Sequence, residues 1–281
     1  MPSYGRFTQI DLNDLGFLQR DAACPDREAA RFGLELSAVA YSFEVDRWLD
    51  AGWTDISIQA DEKLMTGVAD PEEAERPLYQ RVVNEWIPFM ARRHIRSNRR
   101  LEQIKGRIWK PAEDEGDPQT GKALTMIHPL PDGRWAVAIG FMGTGRRQMD
   151  WMRNFRFAHP QGFHEGFLEA SEQFEENCGR IQFEQTAKAT GLMRLTLADI
   201  LDEASRPGSR FTVFAAGHSQ GAAVLQLWMW RQLRRGVRAD NLLGYGFAPP
   251  SVAAASVGEL GTLPLHLFSN SDDIVTRVGL Y

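Results

Sequence analysis

Residues Arg210 to Arg235 read RFTVFAAGHSQGAAVLQLWMWRQLRR, and the character of the chain changes once within them. RFTVFAA is apolar, aromatic and β-branched, the composition of a buried strand. GAAVLQLWMWRQLRR carries apolar residues through a helical segment that Gly236 closes. The junction, Gly217-His218-Ser219-Gln220-Gly221, is G-x-S-x-G between strand and helix. A serine held there sits in a strained turn, and glycines two before and two after it are wanted because Cβ atoms would collide with neighbouring backbone. The turn presents the hydroxyl to solvent. The helix that starts here points its free N–H groups and positive end at the same spot, which favours an anionic intermediate.

The flanking sequence predicts an α/β architecture. KALTMIHPL and RWAVAIGFMG read as two strands joined by the turn Pro131-Asp132-Gly133, and NLLGYGFA and LPLHLFS as two more. Phe163 to Phe183 and Met193 to Ser205 read as helices. Strands alternating with helices imply parallel crossovers and helices on both faces of a mostly parallel sheet. Upstream, Asp26 to Asp50 has helical spacing up to Gly52, and a second helix is predicted over roughly Pro71 to Arg96. Residues 1–105 are therefore expected to form an N-terminal helical extension packed on the core, with 106–281 as the α/β domain.

Composition narrows the function. The 281 residues hold 32 Lys and Arg against 37 Asp and Glu, a net charge of −5, which gives no reason to expect nucleic-acid binding. Cys24 and Cys178 have no metal-ligand spacing around them, so neither a disulfide framework nor a metal site is indicated. Arg6, Asp11, Asp14 and Arg20 interrupt the first twenty residues, leaving no apolar signal-peptide core, and no window is apolar enough to span a membrane. A cytoplasmic protein is expected. Arg92 to Lys110 is strongly basic and Pro111 to Asp117 acidic, the pattern of a solvated surface, with an anionic membrane surface as the other role.

A nucleophilic serine needs a carboxylate, a base and oxyanion donors. Asn270-Ser271-Asp272-Asp273 lies just past the LPLHLFS strand, where open α/β sheets assemble their sites, and either aspartate serves. The backbone N–H of Gln220, next after the serine, is one oxyanion donor. Gly143-Thr144-Gly145, directly after a strand, offers the second through the N–H and hydroxyl of Thr144. The six histidines, His94, His128, His159, His164, His218 and His266, all precede Asp273. His164 opens a helix near the oxyanion loop, His218 adjoins the serine, and His266 sits on a strand; each reads as a structural histidine.

Taken in order, AVAIGFMGTG, DWMRNF, HEGF, FAAGHSQGAA, NLLGYGFAPP and SNSDDIVTRV resemble the class-three, fungal-lipase-like α/β-hydrolases over roughly Lys122 to Tyr281. The resemblance implies an α/β-hydrolase-like fold, Ser219 as nucleophile, Asp273 as triad acid, and Thr144 with Gln220 as oxyanion hole. It implies no metal and no cofactor. Two departures stand out. Gln220 replaces the usual leucine, and the family's histidine, which lies beyond the acid, has no counterpart before Tyr281. A shortened chain is the expectation, since a sheet ending at LPLHLFS also leaves an edge that native proteins usually pair.

Between the oxyanion loop and His164, Met149, Trp151, Met152 and Phe155 alternate with arginines. In the resembled family this interval is a mobile lid over an acyl pocket; a plain amphipathic helix is the other reading. Two functions follow. One is a serine acyl hydrolase acting on a carboxylic ester, a lipid ester first. The other is a catalytically inert hydrolase-like module that binds an acyl ligand or a protein partner.

Overall fold

A computed structural model of the chain describes residues 10–42, 45–55, 123–143, 162–178, 196–254, 257–273 and 276. The 105/106 boundary, the helix expected near Pro71 to Arg96 and the basic and acidic runs after it fall outside these residues. Six strands form one sheet in the order β1 to β6: Thr54–Asp55, Ala123–Pro129, Trp135–Phe141, Phe211–His218, Leu242–Phe247 and Leu265–Phe268. β1, β2 and β3 pair antiparallel, whereas β3 to β6 run parallel. The β2–β3 hairpin closes at the expected turn, where Gly133 has φ +83° and the Leu130 N–H donates to the Arg134 carbonyl at 2.7 Å.

The helices are α1 (Arg27–Ser42), α2 (Asp46–Asp50), α3 (Glu165–Cys178), α4 (Leu197–Ala204) and α5 (Gln220–Arg234). The segment expected as one helix over Asp26 to Asp50 is thus two, and Gly52, at φ +86°, follows the second as the expected stop. Strand β1, too short to show alternation, was not expected.

Period-two alternation in β3 builds both layers of the core. Val137, Ile139 and Phe141 join Phe174, Ile200, Leu225 and Trp228 on the face covered by α3, α4 and α5. Ala136 and Ala138 point to the opposite face, with Phe32, Leu36 and Ala40 of α1 and with Trp48 and Trp53. Small residues let α1 approach closely: a Cβ on Gly140 would lie 2.9 Å from the Leu36 carbonyl oxygen, and one on Gly33 would lie 3.0 Å from Tyr245 Cβ. Ala29, Phe32, Leu36 and Ala40 make the buried stripe of α1. Burying each of the two large side chains is worth roughly 1.5–3 kcal/mol. Among the described residues, α1, α2 and the segment before them cover this face of the sheet.

On the other face, α3 and α5 are tied together by charge. Arg231 donates to Glu175 at 2.9 Å and to Glu172 at 2.6 Å, and Arg235 reaches Glu175 at 2.6 Å. Thr196 and Asp199 form a reciprocal cap on α4, an arrangement worth about 1 kcal/mol. No helix among the described residues is long and apolar enough to cross a membrane.

Candidate active site

The carboxyl ends of the four parallel strands β3 to β6 lie side by side, because the register sets Phe141 against Gly217, His218 against Phe247, and Phe247 against Phe268. The chain leaves these ends through Gly143, Ser219, Ala248 and the loop reaching Asp273. Such an edge is where open α/β sheets bind ligands.

Ser219 is the turn between β4 and α5. Its φ is +56° and ψ −125°, a backbone conformation that residues with a Cβ rarely adopt. Three features hold it there. The Ser219 N–H donates to the Phe247 carbonyl at 2.9 Å, tying the corner to the end of β5. A Cβ on Gly217 would lie 2.5 Å from the Gly221 carbonyl carbon and oxygen, and one on Gly221 would lie 2.2 Å from the Phe141 carbonyl oxygen. Both glycines of the motif are thus required by backbone approaching backbone, as the sequence predicts. Ala222 and Ala223 are fully buried, which lets α5 begin directly over the strand ends.

Gln220 is the first residue of α5 and its side chain is buried. Its backbone N–H lies at the positive end of a fifteen-residue helix, where partial charges favour an anion. Thr144 and the stretch holding Met149, Trp151, Met152 and Phe155 lie outside the described residues. The loop that leaves β3 is described as far as Gly143.

Asp272 is exposed at the tip of the last loop and accepts from the Ser271 hydroxyl at 3.3 Å. Asp273 is half-buried. Its N–H donates to the Asn270 carbonyl at 3.0 Å, and its carbonyl accepts from Thr276 Oγ1 at 2.8 Å. Its charge acts on His218. Crowding by protein atoms lowers the pKa of the His218 imidazole, and the negative charge of Asp273 opposes that shift. His218 keeps a surface-exposed edge, while its Nδ1 lies 3.0 Å from the hydroxyl of Tyr41.

The other described histidines sit in structural settings. His164 is fully buried and stacks on Phe167 at 3.8 Å between ring centroids. Its backbone N–H donates to the Val252 carbonyl at 2.8 Å. His266 Nε2 lies 3.0 Å from the carbonyl oxygen of Ala22, and His128 stacks on Trp53 at 5.0 Å. Tyr41 is the site residue that sequence reasoning missed. It lies 177 positions from His218 on a helix whose pattern says only that one face is buried.

Several solved lipase structures are similar to this chain. One is a fungal lipase–inhibitor complex, at 21% identity and TM-score 0.36 over 56% of each chain. Another is a triacylglycerol lipase described as having a serine-protease triad as its catalytic centre, at 21% identity and TM-score 0.37, again over 56% of each chain. A third is the Rhizomucor miehei triacylglyceride lipase, at 18% identity and TM-score 0.38 over 74% of each chain. The match spans little more than half the length of the first two. No protein-family model and no curated protein matches the chain. The arrangement of parallel strands, elbow and helices on both faces is α/β-hydrolase-like on its own geometry.

Proposed function

We propose that the protein is a serine acyl hydrolase in which Ser219 is the nucleophile. The observation that carries this reading is the backbone of Ser219, held at φ +56° between a buried strand and a helix N-terminus by two glycines that admit no side chain. A strained corner of this kind persists only where surrounding structure enforces it, and here it stands at the N-terminus of α5, where the helix dipole favours negative charge. Ser219 Oγ attacks the carbonyl carbon of a carboxylic ester as an imidazole takes its proton. The N–H groups of Gln220 and Thr144 receive the developing oxyanion, and Asp273 orients the imidazole. The alcohol leaves with that proton, and water then releases the acyl group from Ser219 by the reverse exchange. The quoted motifs that resemble class-three lipases make a lipid ester the first substrate class to examine.

A second reading is favoured by one observation. His218 feels the charge of Asp273, and its Nδ1 is engaged by Tyr41. This suits a non-catalytic module that retains the elbow as a binding site. Hydrolysis of p-nitrophenyl esters of two to twelve carbons separates the readings. A hydrolase loses at least about 10³-fold in kcat on Ser219→Ala, whereas a binding module shows the same background rate in both proteins.

A further inference from the structure

Tyr41, near the end of α1, joins two parts of the site that are otherwise far apart in sequence. Its hydroxyl lies 3.0 Å from Nδ1 of His218, and its ring meets the imidazole edge-on with centroids 5.9 Å apart. On its other side is Gly143, just past the end of β3. A Cβ at that position would lie 1.9 Å from the phenol oxygen and 2.5 Å from the carbonyl oxygen of His218. The phenol, the end of β3 and the nucleophile elbow therefore meet at one junction that leaves no room for a side chain on residue 143.

A phenol has one proton to give and lone pairs to accept with. Crowding by protein atoms around its hydroxyl pushes the Tyr41 pKa up to about 12, with the Gly143 N–H acting in the opposite direction, so the group stays neutral near neutral pH. A neutral phenol can donate to His218 Nδ1 and accept from the Gly143 N–H at once.

We propose that Tyr41 is a positioning residue: by bridging Gly143 and His218 it fixes the separation between the end of β3 and the elbow that carries Ser219. The functional half of this inference rests on Ser219 acting as a nucleophile; the structural half does not. The bridge also gives the N-terminal segment a role at the site, because α1 carries Tyr41 to the sheet's carboxyl edge.

Tyr41→Phe keeps the ring and removes only the oxygen, at a position 37% exposed, so the variant is expected to fold. Amide hydrogen exchange on the full chain, wild type against Tyr41→Phe, reads the bridge directly. Peptides covering 139–143 and 217–221 are expected to exchange about tenfold faster in the variant, with 242–247 unchanged. Unchanged exchange at both peptides overturns the bridge. In the same proteins kcat for a p-nitrophenyl ester is expected to fall about tenfold with KM unchanged, the signature of a displaced site and not of weaker substrate binding. If activity depends on Ser219 but Tyr41→Phe leaves kcat unaltered, the positioning role is wrong. If activity is absent or indifferent to Ser219→Ala, the hydrolase reading fails, and the bridge is judged on exchange alone.

Discussion

Comparing Ser219→Gly with Ser219→Ala isolates the strain at the elbow, because both variants lose the hydroxyl and differ only in the Cβ. At an ordinary position glycine is the less stable of the two by roughly 0.5–1 kcal/mol, since its unfolded chain has more conformations to lose. Ser219 sits at φ +56°, ψ −125°, where a Cβ costs on the order of 1–3 kcal/mol and glycine avoids the cost. The difference leaves Ser219→Gly the more stable by up to about 2.5 kcal/mol, or up to roughly 4 °C in Tm for a chain of this size. Equilibrium urea unfolding followed by far-ultraviolet circular dichroism measures it, with an unchanged m value showing that the two transitions are comparable. A glycine variant less stable than the alanine variant would refute the reasoning, because the corner would then hold no strain.

Gly221→Ala is expected to destabilise the fold by about 2 kcal/mol or more and to abolish esterase activity, since the added carbon would stand 2.2 Å from the Phe141 carbonyl oxygen and backbone must move to admit it; thermal unfolding and ester hydrolysis check both. His128, stacked on Trp53, has its pKa lowered from the ordinary 6.5 chiefly by burial. The unfolded chain therefore takes up a proton there first as pH falls. Stability from this group is complete above about 6.5 and declines through the interval below it. His128→Phe, which keeps a ring on Trp53, is expected to show a smaller drop in Tm between pH 7 and pH 5 than wild type; an equal drop would show that His128 does not contribute.

The strands were legible because their periodicity is unambiguous. Ala136 and Ala138 alternate with Val137 and Ile139, so one face takes α1 closely and the other takes the larger side chains of α3, α4 and α5. The elbow was legible because Gly217 and Gly221 answer a local steric demand that reaches only a few residues along the chain and to the neighbouring strand. The division of the first helix was not, because the apolar spacing continues through Val45, Trp48 and Leu49. What separates the two parts is tertiary, with Trp48 turned into a cluster with Phe32 and Trp53 at 5.1 Å between centroids in each case. Tyr41 was invisible for the same reason. Its value to the site comes from Gly143 and His218, which only the folded sheet brings to it.

Reaction of the full chain with a fluorophosphonate, followed by mass spectrometry of the digested protein, tests most directly whether the Ser219 hydroxyl is an activated nucleophile. The account predicts one adduct, on Ser219, and none in Ser219→Ala. An unlabelled wild type, or an adduct that persists on another residue in the variant, would contradict it.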